Sequence, residues 1–315
     1  MKALKICGKV LLILVIIVII ILIIGLLFLN FYPSIGDTPN KEKQKEYEKL
    51  TELYYDKRFH NEKDFEVMTG TPSKESERSE PESRIPVQKI DSIDRAGADE
   101  MKVTWLGHSS SLVQMGEKNI FIDPVLSERS SPVSFAGPKR FSDIALDAEN
   151  VPDIDVLFIS HDHYDHLDYQ TIKDIDSKVS HYVTPLGIDV ILKGWGVDES
   201  KLHPLGWWES TTLDGVTYTV VPSQHYTGRN PMKQNATEWG GLYIKTDKHS
   251  FYYTGDSGYY EVFSQVYEHF GETDLMLAVK AAKEQGANIA TPRIGQTVSY
   301  DDISSFTEHW WEEYK

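Results

Sequence analysis

The chain has 315 residues, 40% hydrophobic and 25% charged, with seven Trp and seventeen Tyr. That is enough apolar mass for one large packed domain or two small ones, and it argues against a disordered protein. A formal net charge of −16 speaks against nucleic acid as a partner, because binding a phosphate backbone needs clustered Lys and Arg.

Val10 to Leu29 is an unbroken apolar run of twenty residues, long enough at about 1.5 Å rise per residue to cross a bilayer core of about 30 Å. A cleaved signal peptide would show a shorter apolar stretch ending in a small-residue cleavage site. Lys2, Lys5 and Lys9 precede the run, so the positive-inside rule makes residues 1–9 a short cytoplasmic N-terminus. Residues 10–29 are then a single transmembrane anchor, and the remainder lies on the extracytoplasmic side. Cys7, the only cysteine, precedes the run, so no intramolecular disulfide is available.

Residues 30–100 read as a polar stem and linker. Within them Lys41 to Phe59 is rich in Lys and Glu, with Leu50, Leu53 and Tyr54 spaced for a short amphipathic helix. Thr69 to Pro86 is polar and punctuated by proline, as in a flexible surface segment. From Met101 the texture becomes that of a domain, 101–315. Lys102–Leu106, Ser111–Met115 and Asn119–Ile122 read as strands, with Gly116-Glu117-Lys118 as a hairpin turn. A helix is expected over Tyr169–Ile175, strands over Val216–Val221, Gly241–Lys245 and Ser250–Thr254, and a further helix within Tyr259–Phe270. Strands followed by helices in this order suggest an α/β domain.

The chemistry concentrates in His161-Asp162-His163-Tyr164-Asp165-His166, directly after the apolar Val156–Ile159. Imidazole and carboxylate are first-choice ligands for a borderline cation such as zinc. His161 and His163 project to one side of an extended segment, while a turn beyond them would aim Asp165 and His166 at a second ion. Three more potential ligands, His108, His225 and Asp256, also follow strands. Strand ends converge on one rim, so residues distant in sequence can meet there.

These residues together resemble the metallo-β-lactamase-fold hydrolases. Thr104-Trp105-Leu106-Gly107-His108-Ser109, Asp123-Pro124, Phe135-Ala136-Gly137-Pro138, Trp207-Trp208-Glu209, Gln224-His225 with Gly228-Arg229, and Gly255-Asp256-Ser257-Gly258 narrow the resemblance to the N-acyl-phosphatidylethanolamine-hydrolysing phospholipase D branch. It spans about residues 100 to 270. It implies an αββα four-layer sandwich and a centre of two metal ions, usually zinc. His161, His163 and His225 would hold one ion and Asp165 and His166 the second, with Asp256 bridging. Two cations lower the pKa of a shared water, the nucleophile that such a hydrolysis needs. Asp165 would orient that nucleophile or carry its proton, and Arg229 has the fork of donors to hold a substrate phosphate, a surface salt bridge being its rival role.

The sequence departs from the family pattern near 275–295. Arg293 stands where a last ligand histidine is expected, and arginine cannot ligate a metal. Thr273–Ala278 also runs into Val279–Glu284 without the usual histidine-bearing loop, as in one continuous helix capped by Thr273. The reading that follows is a membrane-anchored, metal-dependent hydrolase acting on a phosphodiester such as a phospholipid. The alternatives are a lactone or sugar-phosphate ester hydrolase of the same fold, or a non-catalytic metal-binding member.

Overall fold

A computed structural model of the protein describes residues 2–63, 81–277, 290–307 and 310. The N-terminal helix α1 (Lys2–Phe31) includes a stretch, Ile6–Phe31, that is apolar and long enough to cross a membrane, and none of it is buried against the rest of the chain.

The larger of two main sheets begins as a meander of β3 (Met101–Gly107), β4 (Ser110–Met115) and β5 (Lys118–Ile122). Gly116 (φ +57°) and Glu117 (φ +58°) form the two-residue turn between β4 and β5. Positive φ at both positions gives a turn whose twist matches the flanking strands. From β5 the sheet continues in parallel through β6 (Ile154–Phe158), β7 (Val179–Pro185) and β8 (Leu202–Leu205). Helices α3 (Tyr169–Ile175) and α4 (Ile188–Gly194) make the last two crossovers. The short strand β14 (Thr297–Ser299) closes the other edge against β3. The second sheet pairs β9 (Ser210–Leu213), β10 (Val216–Val221), β11 (Gly241–Lys245) and β12 (Ser250–Tyr253) in antiparallel fashion. Beyond helix α5 (Val262–Phe270), strand β13 (Leu275–Leu277) adds to it in parallel.

The period-two alternation of the strands decides the layering. Val113, Met115, Ile120, Ile122, Val156 and Phe158 meet Val216, Tyr218, Val220, Leu242, Ile244, Phe251 and Tyr253 between the two sheets. Their neighbours Leu112, Phe121 and Leu157 face the other way, onto Ile172 and Ile175 of α3 and Ile188, Ile191 and Leu192 of α4. Tyr243 and Tyr252 likewise pack on Val262 and Val266 of α5. The result is an αββα sandwich, as the family resemblance implies.

Two readings of the sequence need correction. Residues 33–59 are not a free stem. Helix α2 (Lys41–Leu50), capped by the Asn40 side chain, and the hairpin of β1 (Tyr54–Tyr55) and β2 (Arg58–Phe59) dock on the domain. Tyr47, Tyr54 and Phe59 form a buried cluster with Leu186 and Trp239, whereas Leu50 is exposed. Aromatic area, not the Leu spacing, supplies the buried face. Residues 85–93 also cross the domain, with Ile85, Val87, Ile90 and Ile93 packed on the outer core. The proposed continuous helix from Thr273 fails at its start, because Leu275–Leu277 is the strand paired with β12. Its continuation over 278–289 lies outside the described residues, as do residues 69–80 of the polar segment.

Glu238 is 2% exposed, and its Oε2 has no hydrogen-bond partner among the described residues. Burial pushes its carboxyl well above the ordinary 4.5, and Glu209 adds to the shift. Burial therefore disfavours the ionised carboxylate in the fold but not in the unfolded chain, so its contribution to stability is full below pH 4.5 and falls as pH rises. Glu238→Gln should accordingly stabilise at pH 7, read as a higher thermal midpoint than wild type. The gain should vanish as melts are repeated toward pH 4.5; a gain independent of pH would contradict this account.

Candidate metal centre

The ends of β3, β5, β6, β10 and β12 lie along one rim of the sandwich, and His108, Asp123, His161, His225 and Asp256 follow them. From β6 the chain runs through buried Ile159 and Ser160 to His161, itself 1% exposed. His161 Nε2 lies 2.9 Å from His163 Nδ1, and His225 Nε2 lies 3.3 Å from the same atom. Three ring nitrogens thus converge. Burial, with repulsion from neighbouring imidazoles, holds His161 well below the usual histidine range, and burial first lowers His163 as well. Burial and His163 push His225 down to about 4. All three rings are neutral near pH 7, with lone pairs aimed at a common point, which is what a cation needs from imidazole.

Past His163 the chain turns tightly, with the amides of His166 and Leu167 both donating to His163 O at 3.1 and 2.8 Å. This turn delivers Asp165 and His166 to a second group. His166 is fully buried and gives its Nδ1 proton to Asp123 Oδ2 at 2.7 Å. Its Nε2 makes no hydrogen bond among the described residues, although Asp256 Oδ2 is 3.3 Å away. A histidine oriented by a buried carboxylate, with its other nitrogen left over, has the arrangement of an oriented metal ligand. Burial disfavours charge on His166, but Asp123 and Asp256 outweigh it and push its pKa up to about 10. A proton and a cation therefore compete for Nε2. Asp165 and Asp256 remain anionic: burial opposes charge on both, but the His108 hydrogen bond lowers Asp165 and His166 lowers Asp256.

Asp256 is turned into the site by Gly255, whose φ of +58° suits glycine; a Cβ there would meet Gly240 O at 3.1 Å. His225 is pinned from the N-terminal segment, since Asn61 Nδ2 donates to His225 O at 2.8 Å and Asn61 Oδ1 accepts from His225 N at 3.1 Å. Asp162 faces away, accepting from Gly228 N and Thr237 Oγ1.

Among the described residues, donor atoms within 4.8 Å of one another form three groups: His161, His163 and His225; His161, His166 and Asp256; and His108, Asp165 and His166. The structure thus brings together the six residues that the resemblance assigns to metal and, with them, His108, the further potential ligand at a strand end, whose Nε2 is 2.8 Å from Asp165 Oδ2. His108 stands at a strand end in the sequence, but its partner Asp165 is 57 residues away. Asp123, Ser160 and Asn61 were missed. The Asp123-Pro124 motif after an apolar strand was the one available signal. His108 and Asp123 both adopt positive φ, +50° and +42°, the kind of backbone strain that collects at functional sites.

Arg229 is a correction. It is 4% exposed, and its guanidinium donates to the carbonyls of Ser34, Asp162 and Leu167. A buried guanidinium spent on main-chain oxygens is not placed to grip a substrate phosphate. The Arg293 guanidinium, for its part, lies 5.7 Å from the centroid of the Trp310 ring.

Residues 118–299, more than half of the chain, match the family described as the beta-lactamase superfamily domain. The chain is 34% identical over 200 residues to an uncharacterized protein of Mycobacterium tuberculosis, covering 63% of this chain and 53% of that one. It is 35% identical over 205 residues to the N-acyl-phosphatidylethanolamine-hydrolyzing phospholipase D 1 of Caenorhabditis elegans, covering 62% of this chain and 57% of the other. The chain thus spans a little over half the length of these curated relatives. Among solved structures, the isothiocyanate hydrolase from Delia radicum gut bacteria aligns with a TM-score of 0.44 at 18% identity, covering 56% of this chain and 70% of that one. With the family match running from β5 to β14 and taking in His161 to His166, His225 and Asp256, the chain belongs to the beta-lactamase superfamily.

Proposed function

We propose that the protein is a membrane-anchored, metal-dependent hydrolase that cleaves a phosphodiester, with a phospholipid as substrate. The observation that carries this reading is the convergence of neutral imidazoles and anionic carboxylates on one rim. His161, His163 and His225 would hold one cation. His166, Asp165 and Asp256 would hold the other, with His108 in the place of the absent last histidine. Imidazole and carboxylate donors suit zinc. When bound, such ions supply Lewis acidity and acidify a water to near neutral pH.

The chain's own residues would do the rest. Asp123 fixes the His166 tautomer, and Asn61 holds His225 in register. Asp165, anionic and hydrogen-bonded to exposed His108, would orient the attacking water and pass its proton outward. The phospholipid reading is supported by the activity for which the Caenorhabditis elegans relative is named and by the apolar helix α1, which would place the site beside lipid. The lysines at the start of α1, ahead of its apolar run, favour an extracytoplasmic domain.

The direct test is release of phosphatidic acid from a phospholipid by the purified full chain. His161→Ala should abolish it and reduce bound metal from about two ions per chain; hydrolysis that survives this change would sink the mechanism. His108→Ala should weaken the second metal equivalent about 10–100-fold and leave the first intact, read by metal titration; two undisturbed equivalents would remove His108 from the ligand set. For topology, Phe135 is 82% exposed. In a Cys7→Ser background, Phe135→Cys should react with a membrane-impermeant thiol reagent in intact cells. Reaction only after permeabilisation would put the domain in the cytoplasm.

A further inference from the structure

Arg229 is the buried cation that this chemistry leaves unused. Its Nη1 donates to Asp162 O at 2.8 Å and to Leu167 O at 2.6 Å, carbonyls that bracket the turn carrying His163, Asp165 and His166. Its Nε and Nη2 donate to a single carbonyl, Ser34 O, at 3.1 and 2.6 Å. Ser34 lies three residues past the end of α1. Tyr164, from the same turn, lies beneath the guanidinium at 4.1 Å and donates its hydroxyl to Arg229 O at 3.0 Å.

The segment leaving α1 is held at other points too. Trp195 Nε1 donates to Pro33 O at 2.8 Å, Ser34 Oγ to Pro132 O at 2.6 Å, and Asn230 Nδ2 to Leu29 O at 2.9 Å. The exit from α1 is therefore fixed to the domain, and one rigid, planar side chain links it to the ligand-bearing turn.

We propose that Arg229 is a positioning residue that couples the exit of α1 to the metal-binding turn, so that ligand geometry depends on where the exit segment sits. This inference rests on the metal reading of that turn. Lysine, with a single point of attachment on a flexible stem, cannot span both sides as the fork does.

The test uses the full chain in detergent or nanodiscs, titrated with zinc and, for its visible spectrum, with cobalt. Arg229→Lys should weaken metal binding by about tenfold or more, as loss of an outer-shell orienting contact does, and should shift the cobalt spectrum. A second variant, Ser34→Ala, removes only the hydroxyl bond to Pro132 O and so loosens the exit while leaving the turn and the carbonyl that Arg229 holds in place. It should move affinity and spectrum in the same direction by a smaller factor, and it decides the matter should Arg229→Lys fail to fold. Wild-type protein that takes up no metal would overturn the metal reading itself. Wild-type binding with both variants unchanged would overturn the coupling, as would an effect of either variant without the other when both fold.

Discussion

The carboxylate of Asp123 is the point on which the sandwich and the site both depend. It is fully buried and accepts from Ser160 N, Ser160 Oγ, His166 Nδ1 and Tyr253 OH. A buried charge is tolerated only where donors replace its lost water. Here those donors come from the end of β6, from the turn that carries His166 and from β12 in the opposite sheet. One ion's need for hydrogen bonds therefore joins the sheets at the rim and sets the ring orientation of a central histidine. The price of that arrangement is a local backbone strain at Asp123 itself.

The site's electrostatics follow from how its groups are distributed. Imidazoles crowded together and dried by burial lose their protons, while carboxylates beside a charged His166 keep their negative charge. Neutral nitrogens on one side and anionic oxygens on the other produce a gradient across a few ångströms, suited to two cations of unequal surroundings. The overall acidity of the chain, −16, contributes little to this; what matters is which groups the fold shields from water.

Much of this was legible in the sequence because it is local. Alternation at Val113, Met115, Ile120 and Ile122 marks strands and their inner faces, and two-residue spacing of His161 and His163 survives any detail of packing. What escaped is carried by main-chain atoms or by long separations. Asn61 meets His225 across 164 residues and Arg229 meets Ser34 across 195. A guanidinium that binds carbonyls looks, in sequence, no different from one awaiting a phosphate. The stem was misjudged for a similar reason. Its charged residues face water, and the few that do not (Tyr47, Tyr54 and Phe59) find their partners at Leu186 and Trp239.

The docked N-terminal segment also moves the practical boundary between helix α1 and the domain. A soluble version trimmed to residue 101 would strip Asn61 from His225 and Ser34 from Arg229, and would uncover the aromatic face of Trp239. Such a fragment would keep every proposed metal ligand yet lose the contacts that hold His225 and the turn carrying His163, Asp165 and His166. The natural cut lies at about Tyr32, immediately after the last turn of α1 and ahead of the carbonyl that Arg229 holds.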